Sequence, residues 1–480
     1  MKTLLLLPIL FLLPFTAMHA AAKPNVLFII SDDLTATAPS CYHPDAARTP
    51  AIDRLAGQGT RYTRAYCQFP VCGPSRASLM SGYYPHGSGT MGYVSGRKQI
   101  GPDRMTWSQH FARHGYHTAR VSKIFHMGVP GDIERGTDGA DDPASWHERH
   151  NSQGPEWKAA GDSELLENNP GGTLKVKGGN TLEYVKADGD DLIHSDGKTA
   201  EKTCELLRKF KADPDRPFFL AVGFVRPHVP FVAPRKYFEP YPWQKVTLPR
   251  KLAGDWDDIP VAGINYKTSV NLNLNEEQEK KAVAAYYASV EFMDAQVGKL
   301  LKTLEDEGLD KNTIVIFTSD HGFHLGEHDF WMKVSLMEES VRVPLIIRAP
   351  GGQPGVCGSF VELVDLYPTV SELCGLPVPG QIQGKSLAKT LADPTHAVRD
   401  AVFSVNGGSM LLRDAQWAYI RHGPDGTQGR QLYDMLKDPG QYTNLAGNPE
   451  FADTVRDMDQ RLNRRLAEVR DSDIMREADR

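Results

Sequence analysis

Short, unbroken apolar runs alternate along this chain with segments whose apolar positions recur every three or four residues. The runs are NVLFII (25–30), FFLAVGF (218–224), TIVIFTS (313–319) and PLIIRA (344–349), with HTARVS (117–122) a shorter one. Continuous rather than alternating apolar character is the mark of a strand covered on both faces. Between the runs, residues 276–308 put Tyr286, Val290, Met293, Val297 and Leu301 on one side of a helix, and Cys204 falls with Ala200 and Leu207 on the apolar side of another. Strands separated by helices predict an α/β fold, a mostly parallel sheet sandwiched by helices. No repeat of 20–50 residues is visible.

Ligands of such sheets bind beyond the carboxyl ends of the strands, and the chemistry-bearing residues of this chain collect there. NVLFII runs into Asp32 and Asp33, and TIVIFTS into Asp320 and His321. At a strand end the up–down alternation breaks, so adjacent carboxylates can converge. Three carboxylates and an imidazole gathered in this way repel one another unless a cation lies among them. HTARVS leads to Lys123 and His126, and FFLAVGF to Arg226 and His228. Basic donors at the same edge as a cation suit a tetrahedral oxyanion, the group of a sulfate or phosphate ester.

Composition narrows the class. With 54 Lys and Arg against 60 Asp and Glu in 480 residues, the formal net charge of −6 argues against a nucleic-acid partner. The opening MKTLLLLPILFLLPFTAMHAAAKPN has the form of a secretory signal peptide over residues 1–22, with no cysteine after its apolar stretch. No other stretch offers the roughly 20 apolar residues of a membrane span. The expected product is exported, periplasmic or secreted, and not inserted in a membrane. Six cysteines, at 41, 67, 72, 204, 357 and 374, show no metal or disulfide framework.

One cysteine stands apart. In FPVCGPSRASLMSG (69–82) it precedes Gly-Pro-Ser-Arg at the start of a helical pattern, where the plainest reading is a turn with Ser75 as N-cap. Cys72-Gly-Pro-Ser-Arg76 matches the C-x-P-S-R signature of the sulfatase family. KIFH, FFLAVGFVRPHVPF, AYYASVEFMDAQVGKLL and SDHGFHLGEHDFWMK resemble its iduronate-2-sulfatase branch. The likeness runs over 24–376, and LYDMLKDPGQYTNLA (432–446) is similar to sulfatase C-terminal subdomains. It implies an alkaline-phosphatase-like fold, with a catalytic domain over 23–378 and a smaller C-terminal α+β subdomain over 379–480.

The resemblance also implies a chemistry. Cys72 would be oxidised by a formylglycine-generating maturase, and the aldehyde hydrate offers one hydroxyl to take up the sulfuryl group and a second to expel it. Asp32, Asp33, Cys72, Asp320 and His321 would hold one Ca2+, an assignment that rests on the family because a histidine suits a hard cation less well. Arg76 would support the hydrate, Lys123 and Lys333 bind sulfate, His228 or Lys333 protonate the leaving oxygen, and His126 take the proton for sulfate release. The substrate would be a sulfated saccharide, a 2-O-sulfated uronate of a glycosaminoglycan or a similar polysaccharide. Glu327, His328, Trp331, His43, Tyr93, Arg97 and Arg342 are further candidates for sugar contact, with Arg97, Arg226 and Arg342 able to meet a carboxylate. The polar, Trp-bearing segment 139–157 reads as an irregular insertion. Two other readings share these residues: a phosphodiester or phosphonate hydrolase of the same superfamily, and a non-catalytic binder of sulfated glycans.

Overall fold

Alternate side chains of the strand Asn25–Asp32 enter two separate cores, Leu27 and Ile29 on one face and Val26, Phe28 and Ile30 on the other. Phe218–Pro227 splits Leu220 and Val222 from Phe219 and Ala221 in the same way, and Thr313–Ser319 splits Val315 and Phe317 from Ile314 and Ile316. Both faces are apolar, which is why these runs are unbroken in the sequence. The computed structural model describes residues 23–92, 96–168 and 180–478, so the expected leader (1–22) and Tyr93 lie outside the described residues.

The strands form one eight-stranded sheet in the order Gly355–Glu362, Thr60–Tyr66, Arg342–Arg348, Thr313–Ser319, Asn25–Asp32, Phe218–Pro227, His117–Ser122, Glu148–His150. All share one direction except Arg342–Arg348, which is antiparallel to both neighbours. The PLIIRA run is therefore the antiparallel member: an apolar run records burial on two faces and carries no direction.

Helices cover both faces, as the alternation predicts. Glu276–Asp306 opens with a capping box between Asn275 and Gln278. It buries Tyr286, Val290, Met293, Val297 and Leu301 in the same core as Ala200, Cys204 and Leu207 of Ser195–Lys211. Cys72–Ser81, Trp107–Arg113 and Leu366–Leu373 pack on the opposite side. The smaller C-terminal unit is an antiparallel sheet of Ala401–Asn406, Ser409–Asp414, Trp417–His422 and Arg430–Asp434. Its Val405, Leu412, Tyr419 and Leu432 meet Met458, Leu462 and Leu466 of the helix Ala452–Arg470.

The segment 139–157 is not the irregular insertion its composition suggested. Glu148–His150 is the edge strand of the main sheet, paired with His117–Ser122, and Trp146 is buried. The cause is Arg120, an arginine buried within an apolar strand, whose guanidinium is met by Asp138, Asp141 and Asn151 at 2.6–2.8 Å. All six thiols are free. Among the described residues no helix is long and apolar enough to cross a membrane.

Candidate active site

Four adjacent strands of the sheet, Thr313–Ser319, Asn25–Asp32, Phe218–Pro227 and His117–Ser122, run out at one edge. There they deliver Asp320 with His321, Asp32 with Asp33, His228, and Lys123, all of them buried. Asp33 and Ser122 take left-handed backbone angles, φ 65° and 60°, so the pleat is broken at two of these exits and neighbouring side chains need not face opposite ways. A fifth strand, Thr60–Tyr66, leads to the helix Cys72–Ser81 with Cys72 as its first residue and Val71 as the cap. Ser75 caps nothing. Its hydroxyl donates to the carbonyl of Asp320 at 2.5 Å and ties the helix to the neighbouring strand end.

Around Cys72 the distances are short. Its Sγ lies 3.2 Å from His321 Nε2, 3.3 Å from Lys333 Nζ and 3.9 Å from Asp33 Oδ1. Each acid already has its own cation: Lys123 holds Asp32, Lys333 holds Asp33 at 2.7 Å, and Arg76 Nε holds Asp320 at 2.8 Å. Three carboxylates thus meet three cationic side chains, and mutual repulsion does not by itself demand a metal.

What does fit a metal is the state of the oxygens. Asp32 Oδ1 and Asp33 Oδ2 are buried and make no hydrogen bond, a costly arrangement for ionised oxygens with nothing to accept from. One ligand atom each from Asp32, Asp33, Cys72 and His321 can be chosen so that all lie within 4.8 Å of one another. His321 Nδ1 is engaged with the Gly322 carbonyl, which leaves Nε2 facing the cluster. Asp320 stands at its margin, with Oδ2 on Arg76 and Oδ1 accepting the Asp33 and His321 N–H groups.

The electrostatics follow the burial. Burial pushes the Cys72 thiol well above its ordinary value, helped by Asp32, so as a cysteine it stays protonated. Burial raises Asp33 despite Lys333 and His321, whereas Lys123, His228, Arg76 and Lys333 outweigh burial and hold Asp32 low. Burial, then Lys123, takes His126 down to about 3, and His228 is lowered by burial and Lys333. Both imidazoles therefore rest neutral. His228 Nδ1 is engaged with the Val229 carbonyl, so Nε2 is the atom turned towards Asp33, at 3.8 Å.

Arg76 departs from its expected role. Its guanidinium bonds Asp320, the carbonyls of Ser31 (3.2 Å), Lys123 and Ile124 (3.2 Å), and lies 3.6 Å from Asp32. It braces the strand ends that carry the acids rather than reaching along its own helix to residue 72. Arg226, Arg97 and Arg342 are likewise engaged, on Glu156, on Gln109 with Asp142, and on Glu338. Trp331 bonds Ser269 and His328 bonds Asp255, while His43 and Glu327 line a cavity of about 760 Å³ beside Tyr241 and Tyr287 rather than Cys72. Sequence reasoning missed Tyr286, whose hydroxyl donates to the Asp33 carbonyl (2.7 Å) and accepts from Thr35 N. The signal was a phenol in an otherwise aliphatic helical stripe.

Comparison with known proteins bears on the family and the fold. Residues 24–376 match the family described as Sulfatase, and residues 326–468 match the C-terminal region of N-sulphoglucosamine sulphohydrolase. A protein named Sulfatase from Formosa agariphila is 31% identical over 451 residues, covering 90% of this chain and 85% of that one. Human iduronate 2-sulfatase is 33% identical over 401 residues, 74% of this chain and 70% of its own. Among solved structures, the phosphonate monoester hydrolase of Agrobacterium radiobacter superposes with a TM-score of 0.74 at 21% identity, over 93% of this chain and 96% of that one. This last likeness shows the fold.

Proposed function

The chain belongs to the sulfatase family and is a sulfuric ester hydrolase, and from that premise we propose that it removes sulfate from a saccharide, specifically a 2-O-sulfated uronate of a glycosaminoglycan or a similar polysaccharide, after export to the periplasm or beyond. The likeness to human iduronate 2-sulfatase supports the substrate, and the apolar leader supports the export. The observation that carries the catalytic reading is the meeting of Cys72 with His321 and Lys333, at 3.2 and 3.3 Å, beside carboxylate oxygens that accept from nothing.

Cys72 serves as the precursor of formylglycine, made by a maturase. Its hydrate would supply two hydroxyls on one carbon, one to accept the sulfuryl group and the other to expel it. A calcium ion held by Asp32, Asp33, Asp320, His321 and residue 72 would supply positive charge at the sulfate and the nucleophile. The remaining work falls to the chain. Lys123 and Lys333 offer N–H donors to sulfate oxygens, and burial makes each such contact stronger than in water. Lys333 Nζ carries a proton for the ester oxygen as its bond to sulfur breaks, whereas His228 Nε2 can donate only as the imidazolium, because the single proton of the neutral ring lies on Nδ1 against the Val229 carbonyl. His126, held neutral at rest by burial and then Lys123, is the base for the step that releases sulfate.

Protein co-produced with a maturase tests the reading. The tryptic peptide around residue 72 should show the mass of the aldehyde, and turnover should be seen on an aryl sulfate and on a disaccharide with a non-reducing 2-O-sulfated uronate. Cys72→Ala should be inactive, and Cys72→Ser nearly so, because a single hydroxyl can accept sulfate but not expel it. Faster turnover of an aryl phosphate or phosphonate, or an active Cys72→Ala, would overturn the assignment.

A further inference from the structure

The turn that presents Lys333 is held against its own backbone preference. Met332 and Val334, on either side, have φ of 66° and 87°. A β-branched residue rarely stays in that region unless its surroundings impose it. The turn is fixed at both ends: Trp331 N donates to the Lys267 carbonyl at 3.0 Å, and Ser335 Oγ pairs with His324 Nε2 at 2.6 Å. Any relaxation of φ at Val334 is therefore confined to residues 332–334, the stretch that carries Lys333.

Two asparagine side chains act against that relaxation. Asn265 Nδ2 donates to the Lys333 carbonyl at 3.1 Å, and Asn406 Nδ2 donates to the carbonyl of Val334. Asn406 comes from the C-terminal sheet, at the end of the strand Ala401–Asn406. The two residues before it grip a different segment: Ser404 Oγ donates to the Cys67 carbonyl and Val405 N to the Gln68 carbonyl at 3.0 Å. Cys67 and Gln68 lie on the stretch that enters the helix at Cys72. Three consecutive residues of the C-terminal unit thus bridge the approach to Cys72 and the turn that aims Lys333. The ammonium and Sγ meet at 3.3 Å.

We infer that Asn406 is a positioning residue for the sulfatase reaction. Its amide keeps Val334 in the left-handed conformation, and thereby Lys333 against residue 72, so the C-terminal sheet is part of the catalytic apparatus. This rests on the reading of Lys333 as a group that contacts the sulfate ester.

Glycine adopts φ near +87° freely, so Val334→Gly removes the need for the clamp and supplies the rescue. The experiment measures kcat and KM on an aryl sulfate for wild type, Asn406→Ala, Val334→Gly, the double variant and Lys333→Ala, all matured alike, with the thermal midpoint as a check on folding. Asn406→Ala should lose about 10- to 100-fold in kcat with little change in KM, the scale of a small misplacement of a catalytic group. Val334→Gly should stay near wild type, and the double variant should recover to within about threefold of Val334→Gly, a large departure from additivity between neighbouring residues. Should Asn406→Ala not fold, Asn406→Asp, which loses the donor and keeps the shape, carries the same expectations. Wild-type kcat in Asn406→Ala alongside an inactive Lys333→Ala overturns the clamp, as does a double variant no faster than Asn406→Ala. An active Lys333→Ala instead overturns the catalytic reading of Lys333, and the clamp with it.

Discussion

Replacing Arg76 by lysine keeps the charge and removes the fork, which makes it the sharpest test of how the acids are held. The guanidinium is fully buried and contacts Asp320, the carbonyls of Ser31, Lys123 and Ile124, and Asp32. Lysine has three N–H donors at a single point, so it can keep at most three of the four hydrogen bonds. Each buried acceptor left unmet costs about 1–3 kcal/mol. One acceptor left unmet therefore puts the penalty at roughly 1–3 kcal/mol at least, part of it in global stability and part in local loosening of the strand ends at Asp32 and Asp320. Urea unfolding of Arg76→Lys should show a lower midpoint than wild type. Because the damage is to the ends that carry the acids, kcat should fall by the same factor on an aryl sulfate and on a sulfated sugar. An Arg76→Lys protein with wild-type midpoint and wild-type rate would refute the bracing role. A loss confined to the sugar substrate would place Arg76 at the leaving group instead.

Asp32→Ala should abolish both bound calcium, measured by elemental analysis of the purified protein, and turnover, and chelated wild type should regain activity on adding calcium; a demetallated enzyme at full rate would exclude the proposed cluster. His228→Ala should lose roughly 10²–10⁴ in kcat on a sulfated sugar, whose alkoxide leaves badly, and far less on an activated aryl sulfate; equal losses would mean that His228 binds sulfate without donating the proton. Burial pushes the Asp294 carboxyl up to about 7 against the pull of the Ala51 and Ile52 N–H groups it accepts from. A carboxyl raised in the folded state stabilises fully below its unfolded value near 4 and loses that contribution as pH climbs through 7, a change of about 4 kcal/mol at most. Asp294→Asn should therefore flatten the unfolding midpoint between pH 4 and 7, and an unchanged slope would show that Asp294 is ionised in the fold.

The sheet was legible because burial on two faces writes itself into sequence as unbroken apolar runs, and the candidate site because its charged groups sit where those runs stop. Asp32, Asp33, Lys123, His228, Asp320 and His321 could all be placed at one edge from strand ends alone. What stayed hidden is whatever depends on direction or on a distant partner. Arg342–Arg348 has the same apolar signature as its parallel neighbours and runs the other way. The edge strand Glu148–His150 lay concealed in a polar segment, although Arg120 within an apolar strand was a signal that nearby acids must pack over it.

Arg76 shows why roles are harder to read than places. Four residues on from Cys72, it belongs to the same face of the helix, and spacing alone aims it at residue 72. The side chain is long enough to leave the helix, however, and the acceptors that draw it are the carboxylate of Asp320, the carbonyl of Ser31 in one strand and those of Lys123 and Ile124 just beyond another, all set by how the strands lie side by side and none by local spacing. The same logic governs the metal. Convergent carboxylates suggested a cation from charge alone, yet Lys123, Lys333 and Arg76 meet that charge one for one. What suits a metal ion is instead two buried oxygens, Asp32 Oδ1 and Asp33 Oδ2, which make no hydrogen bond. Side-chain cations hold one oxygen of Asp32 and one of Asp33, and the second oxygen of each is left without a hydrogen bond.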